Sequence, residues 1–324
     1  MSERGQIRRI LPPHRRIHAR LRTKMERLRI DAVVVSRYVS KRNGDEKMVF
    51  GIKKKIIAAS LAGAFTLSVG LGASHGDAAQ ADRECVAQVA LLQSLAQGYF
   101  GGTVTAGQLR TLGDTGIGTF EGLNGEMIVL DGTIYQALGD GKVVVVPDKE
   151  IIPFSNVTFF DKDISVKLSQ IADKAALERA LNQAVQQHGV NSFYMIKLHA
   201  EFPSILFRSE YGSKEPYPTL VEALKDKQTE FTEKNIKGTV VGLYCPSYMG
   251  ELNSVGWHFH FISDDKKKGG HVLELSLQDG TAYLDQTDKF AMILHNDKKF
   301  HDLNLAKDMS ADIRSAEQDS YAKQ

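Results

Sequence analysis

The sequence feature that most constrains the fold is a strand-turn-strand pattern at residues 256–275. In its first part, His258 and His260 alternate with three aromatic residues. Successive side chains of a β-strand point to opposite faces, so both imidazoles lie on one face and the aromatic rings on the other. The polar run 264–270 ends in two glycines and predicts a reversal that returns His271 beside the first two histidines. The segment therefore predicts a hairpin with three imidazoles on one side.

Three neutral imidazoles on adjacent strands form a metal site that leaves room for water or substrate. This arrangement is typical of catalytic zinc, because structural zinc sites are usually closed by a fourth protein ligand. Imidazole also binds copper, iron, nickel and manganese, so the pattern alone leaves the identity of the metal open.

Two other classes of protein fit the histidine pattern. A cupin-like metalloenzyme, either an oxygenase or a hydrolase, also uses a His-x-His pair and a later histidine. Such a site usually adds a nearby carboxylate, but here Asp264 and Asp265 fall in the predicted turn. A non-catalytic secreted protein that binds zinc or carbohydrate is the second alternative, although a structural or storage site would be expected to have a closed ligand set.

The two ends of the chain differ strongly in charge. Residues 1–55 contain 17 Lys and Arg against 5 Asp and Glu, whereas residues 82–324 contain 24 against 33. The net negative charge of the second part argues against nucleic acid as a partner. Cys85 and Cys245 do not form a Cys-x-x-Cys pair, so thiolate metal sites and dithiol redox chemistry are not expected. Whether these two cysteines form a disulfide is left open.

A secretory signal peptide is predicted at residues 48–81. Three lysines at 53–55 precede an apolar run at 56–71, and the small-x-small sequence at 79–81 matches a cleavage site. A membrane anchor is the alternative interpretation of the apolar run. Residues 1–47 are then a basic extension that we expect to arise from a mis-assigned start, with a nucleic-acid-binding arm as the alternative. The mature chain is expected to be secreted and free of the membrane.

Periodicity in the mature chain predicts an α+β fold with mainly antiparallel pairing in the second half. Helices are predicted from Val86 to Leu95, after Thr105, from Asp173 to His188 and at Thr219–Lys225. Strands are predicted at 127–130, 133–136, 142–146, 193–202, 238–244, 257–263, 271–277 and 281–285, several of them joined by Asp-Gly turns.

Five short elements follow one another across residues 86–318. They are Leu112–Phe120, Leu123–Met127, Pro216–Pro218, Gly256–Ile262 and Gly269–Leu273. In this order and spacing they resemble the bacterial alpha-acetolactate decarboxylase family. Two departures are visible: Asn124 stands where aspartate is common, and the segment 209–213 replaces a more basic, proline-containing loop.

The resemblance also implies which residues form the site. The zinc ligands of the family match His258, His260 and His271. Its catalytic residues match Glu126, Arg208 and Glu317, and a threonine near its active site, assigned here to cofactor binding, matches Thr119.

The function that the resemblance implies is zinc-dependent decarboxylation of (S)-2-acetolactate to (R)-acetoin and CO2, within acetoin and butanediol metabolism. The fold that it implies is a mixed α/β domain at residues 82–205, followed by a β-barrel-like, zinc-binding domain at 206–324 that ends in a tail. The resemblance further implies a homodimer with a small-molecule substrate.

Overall fold

The structure is a computed structural model that describes residues 39–42, 45–48 and 82–318. Val39–Arg42 (β1) and Asp45–Met48 (β2) form a separate two-stranded antiparallel sheet. The predicted signal peptide beyond Met48 lies outside the described residues. Among the described residues, no helix is both long and apolar enough to cross a membrane.

Seven strands form the first sheet of the main unit. In spatial order they are β16 (Lys289–Ile293), β3 (Cys85–Val89), β10 (Phe154–Thr158), β5 (Thr115–Thr119), β6 (Glu126–Leu130), β7 (Thr133–Ala137) and β8 (Val143–Val145). Neighbouring strands are antiparallel, except that β16 and β3 are parallel. A short antiparallel pair, β4 (Val104–Thr105) and β9 (Ile151–Ile152), lies outside this sheet.

Five longer strands form the second sheet. In spatial order they are β11 (Ile164–Ile171), β15 (Gly269–Thr287), β12 (Phe193–Glu210), β13 (Gln228–Cys245) and β14 (Gly256–Ser263). All pairings are antiparallel, and β14 also pairs with β15. The antiparallel pairing predicted for the second half is therefore confirmed, while its barrel-like form stays a prediction.

Two strands do not follow the predicted domain boundary between residues 205 and 206. β12 runs across this position without a break, and β16 from the C-terminal part pairs with β3 from the N-terminal part. The division of the mature chain at this position stays a prediction.

Within residues 82–318, helices are few and mostly short. They are Leu92–Ala96, Ala106–Leu109, Lys174–His188, Leu220–Lys227, Lys298–His301 and Ser310–Gln318, with 3-10 turns at Glu121–Leu123 and Ser247–Met249. The helix predicted from Asp173 to His188 is confirmed. The Asp173 side chain caps it by accepting a hydrogen bond from the Ala176 amide, and Gly189 follows it at φ 133°. Its buried leucines pack on the second sheet.

Two predictions from periodicity are wrong. Val86 to Leu95 is not one helix, because Cys85–Val89 is a strand between β10 and β16 and only Leu92–Ala96 is helical. Both faces of this strand are buried, so the spacing of its apolar residues carries no information about secondary structure. The strands predicted at 271–277 and 281–285 are one continuous strand, β15. The described part of the chain is mostly β, and the α/β character expected at residues 82–205 is limited there to three α-helices.

Three helices far apart in sequence pack together beside the two sheets. Leu92–Ala96, Leu220–Lys227 and Ser310–Gln318 share an apolar cluster that includes Leu95, Leu224 and Ile313. Ile313 and its neighbour Ala316 are buried in this cluster. The packing holds the C-terminal helix against the rest of the unit.

Candidate active site

The structure brings the three histidines of the predicted hairpin together. His258 and His260 lie on one face of β14, and His260 is opposite His271 on β15. The Nε2 atom of His258 lies 3.0 Å from Nε2 of His260 and 2.9 Å from Nδ1 of His271. One ligand atom from each imidazole lies within 4.8 Å of the others. The aromatic residues that alternate with them are buried in the core of the second sheet.

The outer nitrogen of each imidazole faces a protein oxygen. Nδ1 of His260 lies 2.8 Å from the Met127 carbonyl, and Nε2 of His271 lies 3.0 Å from the Glu317 carbonyl. Nδ1 of His258 lies 3.2 Å from a carboxylate oxygen of Glu317. The two carbonyl oxygens accept hydrogen bonds, and the Glu317 carboxylate lies at ion-pair distance from His258. The outer nitrogens are therefore the favoured positions for the protons, and the inner nitrogens present lone pairs. Three converging lone pairs without a donor between them suit a cation.

The charge state of the imidazoles also fits metal binding. Burial, together with the nearby positive charge of Arg208, lowers the pKa of His258 to about 3. Burial likewise holds the pKa values of His260 and His271 well below their ordinary value. The rings are therefore neutral at physiological pH, which is the form that coordinates metals.

Two of the predicted carboxylates lie beside this centre. Glu126 begins β6, is buried, and places a carboxylate oxygen 3.4 Å from Nε2 of His260. Burial raises its pKa well above the ordinary value, and the neighbouring Glu210 raises it further. Glu317 lies on the C-terminal helix, and burial raises its pKa to about 7. Both groups can therefore hold a proton near neutral pH, as general acids and bases require.

Arg208 provides positive charge at the same centre. It lies on β12 directly opposite His271 and is 2% exposed. Its Nη2 atom donates a hydrogen bond to the Ala316 carbonyl, and its Nε atom lies 3.6 Å from a carboxylate oxygen of Glu210. A buried guanidinium held in this way suits recognition of a carboxylate group.

Thr119 lies in the wall of the same cavity, at the end of β5. Its hydroxyl donates a hydrogen bond to the Gly125 carbonyl at 2.9 Å, and its backbone is paired with Glu126. This contact closes the turn between β5 and β6 and thereby fixes the start of the strand that carries Glu126. The cofactor-binding role assigned to Thr119 stays a prediction.

A cavity of about 40 Å³ connects these groups. Its polar lining consists of the three histidines, Arg208 and three glutamates, with Thr119. Its apolar lining consists of Leu92, Leu95, Leu123, Phe154, Leu220 and Leu224. The cavity therefore suits a small molecule that carries both a carboxylate or other oxygen groups and alkyl groups.

Glu210 is the cavity residue that the sequence interpretation missed. It is 1% exposed and lies two residues after Arg208 on β12, so both side chains point to the same face. The strand was predicted to end at residue 202, which left Glu210 in a loop. If the strand had been predicted to continue to residue 210, the alternation of its side chains would have placed Glu210 on the same face as Arg208.

Comparison with known proteins identifies the family to which the chain is similar. The family model described as alpha-acetolactate decarboxylase matches residues 86–307. The chain is 36% identical over 230 residues to an alpha-acetolactate decarboxylase from Methanosarcina mazei, which covers 71% of this chain and 79% of the relative. It is 32% identical to the one from Bacillus subtilis over 71% of this chain and 89% of that relative.

A solved structure shows the same similarity in three dimensions. The crystal structure of alpha-acetolactate decarboxylase from Bacillus subtilis superimposes with a TM-score of 0.70 at 32% identity, covering 72% of this chain and 100% of that one. The prediction that the chain is an enzyme of the carboxy-lyase class is confirmed by these relatives. The extent of the family match and the identity to its members show that this chain belongs to the alpha-acetolactate decarboxylase family.

Proposed function

We propose that this chain catalyses the zinc-dependent decarboxylation of (S)-2-acetolactate to (R)-acetoin and CO2. The observation that carries the proposal is the convergence of three imidazole lone pairs beside a buried guanidinium and two buried carboxyl groups that hold protons near neutral pH. Family membership supplies the substrate, and the cavity has the polarity that this substrate requires.

His258, His260 and His271 would hold the zinc ion through their inner nitrogens, and three protein ligands leave room for a substrate oxygen. When bound there, zinc supplies Lewis-acid polarisation of the substrate carbonyl, the electron sink that decarboxylation of a 3-keto acid needs. The contacts of Glu317 with His258 and His271 support this ligand set, because protein oxygens beside the outer nitrogens fix the orientation of the imidazole rings.

Arg208 is proposed to bind the substrate carboxylate by paired hydrogen bonds. The bond from this carboxylate to the adjacent carbon then breaks, CO2 leaves, and the electron pair is delocalised towards the neighbouring carbonyl oxygen. Because CO2 is neutral, its attraction to Arg208 is weaker than that of the carboxylate. Arg208 therefore orients the breaking bond and does not retain the product.

Glu126 and Glu317 are proposed to control the proton that the reaction consumes. The carbon that loses CO2 must receive one proton on a single face to give one enantiomer of acetoin. The carboxyl groups of both residues line the cavity, and both have raised pKa values. A carboxyl group held in a fixed position would deliver the proton to only one face of this carbon.

The apolar wall is proposed to receive the methyl groups of the substrate. Leucines from helices Leu92–Ala96 and Leu220–Lys227 form much of this wall opposite the histidines. Their packing also limits the access of water to the reacting carbon. Exclusion of water strengthens the electrostatic interactions between Arg208 and a bound carboxylate.

The test is acetoin formation from racemic acetolactate by the purified protein, before and after removal and return of zinc. Release of acetoin and CO2 that is lost with the metal and restored by zinc supports the proposal. A folded, zinc-loaded protein that forms no acetoin refutes it. Oxygen uptake by the same sample would favour the cupin-like alternative, and tight zinc binding without turnover would favour a binding protein.

Secretion, a homodimeric state and a role in acetoin and butanediol metabolism are also proposed for this chain. The predicted signal sequence at residues 48–81 supports secretion, and family membership supports the other two. Export of a chain that starts at Met48 is the test of secretion and of the mis-assigned start, because loss of export would show that residues 1–47 are needed. Light scattering of the mature protein measures its oligomeric state.

A further inference from the structure

One buried carboxylate in the cavity has no role in the mechanism above. Glu210 lines the cavity with Glu126, Arg208 and Glu317, and it is 1% exposed. A carboxylate is rarely buried this deeply without a partner, because loss of hydration disfavours its charge. Glu210 also lies in the segment 209–213, where the sequence departs from the pattern of the family that it resembles.

Glu210 has two partners, and both belong to the proposed active site. Its carboxylate lies 3.6 Å from Nε of Arg208. Its carboxyl group also lies against the carboxyl group of Glu126, close enough for the two to interact directly. Glu210 thus connects Glu126 to Arg208.

Hydrogen bonds at Ser209 and Glu210 also hold the end of β12 in place beside Glu126. The Glu126 amide donates a hydrogen bond to the Ser209 hydroxyl at 3.3 Å, and that hydroxyl donates to the Ala137 carbonyl at 2.6 Å. The Gly139 amide donates to the Glu210 carbonyl at 3.1 Å. The end of β12 is therefore attached to β6 and to the turn after β7. Glu210 faces Glu126 because these contacts hold the two strands together.

From this geometry we infer that Glu210 is a positioning residue, which holds the Glu126 carboxyl group at the reacting carbon and joins it to Arg208. The inference rests on the proposed function, because it deepens the role of Glu126 in that reaction. Glu210 acts through Glu126, and its loss is therefore expected to slow the chemical step. Arg208 keeps its hydrogen bond to the Ala316 carbonyl without Glu210, so substrate binding is expected to change little.

The test compares Glu210→Leu with the conservative variant Glu210→Gln. Glutamine can donate a hydrogen bond to Glu126 and accept one from Arg208, whereas leucine can do neither. For Glu210→Leu we expect kcat to fall by about 10-fold or more, with KM within about 3-fold of wild type and zinc content unchanged. For Glu210→Gln we expect kcat within about 3-fold of wild type. If Glu210→Leu does not fold, Glu210→Ala replaces it with the same expectation.

Asp285→Leu is the matched control, because it removes another buried carboxylate from a strand of the same sheet, outside the cavity. A merely structural role of Glu210 would lower the stability of Glu210→Leu without a separate change in kcat and without recovery of kcat in Glu210→Gln. Asp285→Leu leaves the cavity residues in place and should keep the wild-type kcat. A Glu210→Leu enzyme that keeps the wild-type kcat overturns the inference. So does a Glu210→Gln enzyme that is as slow as Glu210→Leu.

Crystal structures of the variants test the inference without the reaction. We expect the Glu126 carboxyl group to move by more than about 1 Å in Glu210→Leu and to keep its position in Glu210→Gln. An unmoved Glu126 in Glu210→Leu overturns the inference. A wild-type protein that forms no acetoin would refute the proposed function, and these structures would then still decide whether Glu210 positions Glu126.

Discussion

The main-chain carbonyl of Glu317 lies 3.0 Å from Nε2 of His271, while the carboxylate of the same residue lies 3.2 Å from Nδ1 of His258. One residue of the C-terminal helix therefore orients two of the three imidazoles. The hairpin brings the histidines together, but their inner nitrogens face a common centre only when the outer nitrogens are held. The helix Ser310–Gln318 is in this sense part of the metal site.

Replacing Glu317 with glutamine should weaken metal binding without abolishing it. The variant keeps the main-chain contact to His271 but loses the charge beside His258. Loss of one such outer partner typically lowers metal affinity by about 10-fold or more. Competition with a zinc chelator measures the change. Asp312→Asn, an exposed change on the same helix, is the control, and equal zinc affinity of the two variants would contradict the prediction.

Replacing His260 with alanine should remove the metal and the activity together. His260 is one of the three proposed ligands, and its Nε2 atom also lies 3.4 Å from a carboxylate oxygen of Glu126. Its loss leaves only two imidazole ligands. Zinc that binds only the folded wild-type protein should raise its melting temperature. At a free zinc concentration of 100 times Kd, the gain in the free energy of unfolding is about 2.7 kcal/mol. His260→Ala should show little of this shift and almost no bound zinc by elemental analysis. His199→Ala, a change at an exposed histidine, should behave as wild type.

Sequence alone predicts that the three histidines converge, because the alternation of His258 and His260 and the position of His271 after a polar turn are local features. It also predicts the helix Asp173–His188, whose cap and stop residues are adjacent to it. The fully buried strand Cys85–Val89 has no such local signature, because its two faces pack against different clusters. Glu210 was missed for a related reason, since β12 continues through the polar residues that usually end a strand. In both cases the strand is determined by contacts between distant segments, which local sequence patterns do not show.

Replacing Arg208 with lysine should impair the reaction although the positive charge is kept. Lysine cannot form the paired hydrogen bonds that a guanidinium makes with a carboxylate. A charged hydrogen bond contributes about 1.5–3 kcal/mol, so kcat/KM should fall by roughly 10- to 100-fold. Steady-state kinetics on acetolactate with zinc content measured in parallel give the test. Near-normal kcat/KM in a zinc-loaded Arg208→Lys enzyme would exclude carboxylate binding by this residue.

Replacing Glu126 with glutamine should lower kcat and leave the metal in place. Glutamine preserves the size of the side chain and can still hydrogen-bond to Glu210, but it cannot transfer a proton. Loss of a general acid or base typically lowers the rate by about 10²- to 10⁴-fold. The enantiomeric excess of the acetoin product should also fall if Glu126 delivers the proton. Unchanged kcat and enantiomeric excess would assign this proton to Glu317.

Asp285 gives a prediction about stability that is independent of the metal site. It lies on β15, is 1% exposed, and burial raises its pKa to about 7 from an ordinary value of 3.8. Between these two pH values the folded protein retains a proton that the unfolded chain releases. The free energy of unfolding contributed by this group is therefore present at low pH and is lost as the pH rises from about 4 to about 7.

Replacing Asp285 with asparagine removes a group that must be ionised inside the protein above pH 7. At pH 8 the variant should melt at a higher temperature than wild type, by at least about 2 °C, since each 1 kcal/mol shifts the melting temperature of a chain of this size by about 2–4 °C. At pH 4.5 Asp285 is already neutral in the folded wild type, so the gain should disappear. Thermal melts of Asp285→Asn and of the exposed control Asp312→Asn at both pH values measure this. A gain of equal size at both pH values would mean that packing, and not the buried charge, limits stability at this position.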